Sequence, residues 1–209
     1  MKILIVDDHA IVRRGLISLL KEHYHDAEFG EAEDSKQGQH LALGADWNLV
    51  IMDINMPGRN GIDLIREIKS IKPDLPVLVV SAHAEKDYGV RSLKLGAAGY
   101  VSKQSAPDVL VSAVNRVLSG GRYVSPTLAE HLADSISGGS NEANHESLSN
   151  RELQVLKLIA QGKTLKEIGV ELALSEKTIA TYRARISEKM GLPGIVDLTR
   201  YAMRHGLVD

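Results

Sequence analysis

The sequence contains no cysteine, which excludes a disulfide framework and any thiolate-ligated metal centre. Such a chain suits a reducing compartment, and a cytoplasmic location is the expectation. No uninterrupted apolar run approaches the ~20 residues needed to span a bilayer, so no membrane partner is expected. The first apolar run, Ile3 to Val6, meets Asp7 and Asp8 after four residues, too soon for the apolar core of a secretory signal. A one-sided charge is also missing. The 25 Lys+Arg and 27 Asp+Glu give a formal net charge of -2, so any surface for nucleic acid has to be local. Neither an internal repeat nor a Cys/His ligand spacing is visible.

What is present is ordinary globular material in two textures. A chain of 209 residues, 44% hydrophobic and 25% charged, makes one large domain or two small ones. From Met1 to about Ser119, short Val/Ile-rich runs alternate with amphipathic stretches. The runs are Ile3 to Val6, Leu49 to Met52, Val77 to Val80 and Gly99 to Ser102, with a weaker one at Glu28 to Ala32. Each has the length of a buried strand. Helical spacing places Val12, Leu16, Leu19 and Leu20 on one face, and does the same for Ile62, Ile65, Ile68 and Ile71 and for Leu110, Val114, Val117 and Leu118. Strand–helix alternation predicts a five-stranded, doubly wound parallel sheet of flavodoxin-like type over residues 1–120.

The polar residues fall at the strand ends. Asp7 and Asp8 follow the first strand, Asp53 the third, Ser81 the fourth and Lys103 the fifth. Ligands of an open parallel sheet bind at the carboxyl ends of its strands, so these five side chains are expected to converge. Clustered carboxylates repel unless a cation neutralises them, and an all-oxygen set suits Mg²⁺. A lysine and a hydroxyl beside that ion suit a phosphoryl group. The bland alternatives are a helix N-cap for each Asp and a solvated surface residue for Lys103. An acidic Mg²⁺ pocket also fits a phosphohydrolase with Asp53 as nucleophile, although Asn55 stands where the haloacid-dehalogenase type has a second Asp.

Residues 121–145 are read as a linker with a possible short helix starting at Ser125-Pro126, because Ser137 to Asn144 is rich in Gly, Ser and Asn. From Leu148 on, the pattern is helical. Ser149 and Glu152 form a capping box, Gly162 stops that helix, a short second helix carries Leu165, Ile168 and Leu172, and Ser175 caps a third that holds Ile179, Ile186 and Met190. A last helix spans about Val196 to His205. From Glu146 to Asp209 there are ten Lys+Arg against eight Asp+Glu. If Ile179, Ile186 and Met190 face the core, then Lys177, Ala180, Thr181, Ala184 and Arg185 point outward. A basic stripe with small residues can approach a major groove closely; a solvated helix face is the competing reading.

Two resemblances sharpen these readings. The segments Val6-Asp7-Asp8-His9, Met52-Asp53-Ile54-Asn55-Met56-Pro57-Gly58, Asn60-Gly61, Ser81-Ala82, Gly96-Ala97 and Gly99-Tyr100-Val101-Ser102-Lys103 resemble a response-regulator receiver domain. The segments Leu148-Ser149-Asn150-Arg151-Glu152, Lys166-Glu167-Ile168, Leu174-Ser175-Glu176-Lys177-Thr178-Ile179 and Ile186-Ser187-Glu188-Lys189-Met190-Gly191 resemble the LuxR-type helix-turn-helix of the NarL/FixJ family, over residues 146–209. The first resemblance implies that Asp53 accepts a phosphoryl group from a sensor histidine kinase. It also implies that Asp8, Asp53 and the Asn55 backbone carbonyl hold Mg²⁺, with Asp7 acting through water. Ser81 and Lys103 would hold the phosphoryl oxygens, and Tyr100 would turn inward as Ser81 moves.

The second resemblance implies contacts to double-stranded promoter DNA from Lys177, Thr178, Ala180, Thr181, Tyr182, Arg183 and Arg185, with the Thr181 methyl available to thymine. Together they imply a transcriptional regulator that forms a homodimer on phosphorylation, partly through Val196, Thr199 and Met203. It would not be a metabolic enzyme, its only chemistry being the phosphorylation and slow self-dephosphorylation of Asp53. A constitutive DNA binder with a receiver used only for dimerisation is the third reading. Two departures stand out: Gln104 takes the place of the proline that commonly follows the lysine, and Ala180 and Tyr182 stand where relatives often carry lysine and histidine.

Overall fold

The structure is a computed structural model, and it describes residues 1–56, 61–82, 85–105, 107–137, 145 and 148–208. Pro57 and Gly58 of the second receiver segment and Asn60 of the third lie outside these residues, as does most of the linker read at Ser137 to Asn144. The chain forms two compact units, Met1–Gly138 and Gly139–Asp209.

The first unit is a five-stranded parallel sheet in the order β2-β1-β3-β4-β5. Its strands are β1 Lys2–Val6, β2 Glu28–Ala32, β3 Leu49–Met52, β4 Val77–Ser81 and β5 Gly99–Ser102. Between them run α1 Ala10–His23, α2 Ser35–Gly44, α3 Gly61–Ile71 and α4 Glu85–Lys94, followed by α5 Pro107–Leu118. β3 and β4 are buried along their whole length, as expected for strands covered by helices on both faces. Ile3, Ile5, Ile51 and Leu78 meet Leu110, Val114 and Val117 of α5 in one core. The expectation of a doubly wound parallel sheet holds.

The chain after α5 stays with this unit. Tyr123 pairs in parallel with Gly99 at the edge of β5, and its N–H donates to Ala98 O at 2.9 Å. Helix α6, Pro126–Ser137, packs on α4. Leu128 is fully buried there, opposite Gly89, where an added Cβ would stand 2.6 Å from Leu128 Cδ1. The Ser125 hydroxyl hydrogen-bonds Glu85 of α4 and accepts the Leu128 N–H. The possible short helix read at Ser125-Pro126 is therefore present as α6, Pro126–Ser137, and is seated on the sheet domain. An amphipathic helix folds against a partner even when its flanks have loop composition.

The second unit is all helical, with α7 Asn150–Ala160, α8 Leu165–Glu171, α9 Glu176–Met190 and α10 Ile195–Arg204. The predicted capping box at Ser149 and Glu152 is present, and a second joins Thr164 to Glu167 at the start of α8. Leu153, Leu156, Ile168, Ile179, Ile186, Met190 and Leu198 form the buried interior. Between α8 and α9, Ala173 takes φ 52°, a left-handed conformation that costs an alanine roughly 1 kcal/mol. Gly191 ends α9 at φ 62°, where glycine has no such cost.

Candidate functional site

The backbone ladder of the sheet continues one residue past the strands and fixes each polar side chain. Asp7 N–H donates to Ala32 O at 3.1 Å, Asp53 N–H to Val6 O at 2.8 Å, and Lys103 N–H to Ser81 O at 2.8 Å. Asp7, Asp53, Ser81 and Lys103 are thereby locked to neighbouring strands. Ser81 closes β4 instead of following it. Gly61 lets α3 begin close behind the loop after Asp53, since a Cβ there would stand 2.6 Å from Asp53 O.

Asp7 and Asp53 are almost fully buried. Lys103 Nζ lies 2.5 Å from Asp7 Oδ2 and 2.6 Å from Asp53 Oδ2. Burial alone lowers an ammonium pKa, but the hydrogen bonds and charges of Asp53 and Asp7 outweigh it and raise that of Lys103. The other oxygens are held by backbone: Asn55 N–H donates to Asp53 Oδ1 at 2.9 Å and His9 N–H to Asp7 Oδ1 at 2.8 Å. Asp8 Oδ1 is sealed from solvent and accepts no hydrogen bond. Buried polar atoms without a partner are rare, and an orphaned carboxylate oxygen beside two more carboxylates fits a divalent cation.

Tyr100 is fully buried and shares a hydrogen bond with Ser81. Burial foremost, with the nearby Asp53 charge, raises its pKa against the opposing effect of that bond. The aromatic therefore already points inward beside Ser81. The Lys103–Gln104 peptide is trans.

Sequence reasoning gave no role to two neighbours. Arg13 Nη1 donates to Asp7 O at 2.7 Å while its Nε bonds Glu31, pinning α1 beneath the first carboxylate. His9 places Nδ1 2.9 Å from Asp8 Oδ1. His9 stood inside a quoted segment, but adjacency alone did not show where its ring would lie.

In the second unit, α9 presents the expected face. Lys177, Thr181, Ala184 and Arg185 are exposed, while Ala180, Tyr182 and Arg183 are half-buried. With Ser175 and Thr178, the residues Lys177, Thr181, Tyr182 and Arg185 line a shallow concavity of about 320 Å³. Ser175 caps the helix by accepting the Thr178 N–H. The Thr181 hydroxyl donates to Lys177 O at 3.0 Å, which turns its methyl outward. Two of the basic residues counted from sequence are committed elsewhere: Lys163 pairs with Glu171, and Lys189 with the buried Glu152. Lys177, Arg183 and Arg185 make no ion pair among the described residues. On α10, Val196 and Met203 are exposed apolar side chains, 68% and 56% accessible, and Thr199 is half-buried. No helix among the described residues is long and apolar enough to cross a membrane.

Comparison with known proteins places both units in known domain families. Residues 3–115 match the response regulator receiver domain family, and residues 146–202 match the bacterial regulatory proteins of the luxR family. The chain is 36% identical to the response regulator GacA of Pseudomonas aeruginosa, covering all of this chain and 98% of that protein. It is also 36% identical to the response regulator UvrY of Escherichia coli K12, covering 100% and 96%. Among solved structures, the Salmonella typhimurium response regulator RcsB aligns with a TM-score of 0.62 at 29% identity, over 97% of this chain and 99% of that one. RcsB of Salmonella enterica serovar Typhimurium bound to promoter rprA in the presence of the phosphomimetic BeF3- aligns with a TM-score of 0.58 at 31% identity, over 96% and 97%. An aspartate–lysine pocket at the strand ends of one domain and an exposed basic helix in the other are thus a matched pair, and the chain belongs to the two-component response regulators of the NarL/FixJ family, with a receiver domain and a LuxR-type DNA-binding domain.

Proposed function

We propose that this chain is a phosphorylation-activated transcriptional regulator, working in the cytoplasm, that takes its phosphoryl group from a sensor histidine kinase. The observation that carries the reading is Lys103 Nζ set between the buried carboxylates of Asp7 and Asp53, in the same chain as an exposed recognition helix. Asp53 Oδ attacks the phosphorus of a phosphohistidine; the P–N bond breaks, a P–O bond forms, and the imidazole leaves. Asp8, Asp53 and the Asn55 carbonyl would hold Mg²⁺, with Asp7 acting through water, and the ion would supply charge neutralisation for the incoming phosphoryl group. Lys103 and Ser81 offer a cation and a hydroxyl to its oxygens.

Ser81 and Tyr100 are joined by a hydrogen bond, so a pull on Ser81 is felt at Tyr100. The seat of α6 on α4 supports a route onward, because α6 is the last described helix before the DNA-binding domain in the chain. The DNA contacts are assigned to Lys177, Thr178, Ala180, Thr181, Tyr182, Arg183 and Arg185. Since one short helix reaches few bases, a dimer on paired half-sites is expected, and exposed Val196 and Met203 on α10 favour pairing there. The RcsB–DNA complex, and RcsB bound to promoter rprA in the presence of a phosphomimetic, support this by analogy.

The test is to add acetyl phosphate with Mg²⁺ to the full chain. A phosphoryl mass gain on Asp53, sedimentation as a dimer and tighter promoter binding are expected, all lost in Asp53→Asn. Stoichiometric labelling of Asp53→Asn at the usual rate would refute the assignment.

A further inference from the structure

An imidazole stands at the rim of a pocket otherwise lined with carboxylates. His9 precedes α1 and makes no side-chain hydrogen bond to cap it. Its backbone N–H is bonded to Asp7 Oδ1 at 2.8 Å, which winds residue 9 back over the pocket. The ring nitrogen Nδ1 then lies 2.9 Å from Asp8 Oδ1 and 3.4 Å from Asp7 Oδ1. Asp8 Oδ1 accepts no hydrogen bond, although the ring nitrogen stands only 2.9 Å away. Neighbouring ligands of an octahedral ion with bonds of about 2.1 Å are about 3.0 Å apart. Single donor atoms of Asp7, Asp8 and His9 all fall within 4.8 Å of one another, the spacing of ligands on one side of a shared ion.

We propose that His9 is a ligand of the pocket's divalent ion and extends its preference from Mg²⁺ to first-row transition ions. This rests on the receiver reading above, in which the carboxylates hold a cation. An oxygen-only set favours hard ions, whereas imidazole nitrogen favours the series from Mn²⁺ to Zn²⁺. Adding one neutral nitrogen to an all-oxygen set raises affinity for that series and leaves Mg²⁺ almost unchanged. The ring is largely exposed, at 64% of its side-chain surface, so turning it onto an ion breaks no packing. Which ion occupies the pocket would then depend on transition-metal supply, giving the regulator an input besides its kinase.

The experiment uses the full chain, with Co²⁺ and Mg²⁺ titrated separately by calorimetry and Mn²⁺ bound for pulsed electron paramagnetic resonance. Wild type, His9→Ala, His9→Gln and Asp8→Ala are compared. The expected result is a wild-type ¹⁴N modulation from Mn²⁺ that disappears in both His9 variants. Co²⁺ affinity should fall by about tenfold or more in those variants, with Mg²⁺ affinity held within about twofold. A persistent ¹⁴N signal, an unchanged Co²⁺ affinity, or equal losses for both ions would overturn the role of His9 while leaving the cation pocket standing. Binding that survives Asp8→Ala, or no binding by wild type, would instead defeat the cation reading itself, and this inference with it.

Discussion

Lys103 Nζ stands 2.6 Å from Asp53 Oδ2 and so holds the oxygen that the phosphoryl group would claim. A buried charge that loses its partner costs about 3–5 kcal/mol. Lys103→Met leaves Asp7 and Asp53 facing each other without a counter-charge. Urea denaturation in chelator should show a loss of about 3 kcal/mol. Millimolar Mg²⁺ should restore a large part of it by neutralising the same carboxylates. No recovery on adding the metal would show that it does not enter this cluster.

The seat of α6 reverses an ordinary substitution. Gly→Ala inside an exposed helix stabilises by roughly 1 kcal/mol. At Gly89 of α4 the new methyl would instead meet Leu128 Cδ1 at 2.6 Å. Gly89→Ala should therefore lower stability and speed amide exchange in α6. In a Leu128→Ala background the same change should be neutral or stabilising, a non-additivity that a double-mutant cycle reads directly. Additive effects would mean that α6 does not rest on Gly89.

Glu152 ties α7 to α9 and gives the DNA-binding domain a pH dependence. Burial tends to raise its pKa, but Lys189 and the Ser149 N–H and hydroxyl together lower it. A depressed carboxylate pKa contributes stability that is present above the unfolded-state value and lost as pH falls through the folded one. Glu152→Gln can keep the capping geometry but removes the charge. It should cost about 1–2 kcal/mol at neutral pH, and the gap from wild type should close in acid below the ordinary glutamate range of about 4.3. Thermal melts across that range check the sign.

On α9, the Thr181 hydroxyl is occupied by Lys177 O, so in the proposed DNA contact the methyl is what a base would meet. Thr181→Val keeps the methyl and Thr181→Ser removes it. Selection from random duplexes should return the wild-type consensus for Val, whereas Ser should lose about 1 kcal/mol of preference at one thymine. Arg183→Ala should instead reduce binding to all sequences and flatten the salt dependence by roughly one unit of slope. A consensus that Ser leaves unchanged would remove Thr181 from base reading.

The sequence was most legible where burial is uniform. β1, β3 and β4 are runs rich in Val, Ile and Leu whose ends announce Asp7, Asp53 and Ser81, and covered parallel strands have to look that way; β5, with Val101 as its single β-branched residue, ends just before Lys103. β2 signalled weakly because it is an edge strand, half exposed, with Gly30 at its centre. Helix α2 gave no signal because the residues it buries are Ser35, Gly38 and Ala42, small enough for close approach and invisible to hydrophobic periodicity. The Ser149–Glu152 capping box was readable as local sequence; the left-handed Ala173, the His9 ring and the Leu128 seat were not, because each depends on atoms distant in sequence or on backbone angles that composition does not encode.

The pairing of Tyr123 with Gly99 bears on the open edge of the sheet. β5 lies at the open end of the sheet, and an unpaired outer strand is a template for sticking to another chain. The bridge at Gly99 and the hydrogen bond from Tyr123 to Ala98 plug the start of that edge, and α6 shelters the helix beside it. A fragment cut at residue 120, the border composition suggests, would bare both the strand and the socket of Leu128. The short segment that follows that border, Tyr123 with α6, is for this domain its protective hem.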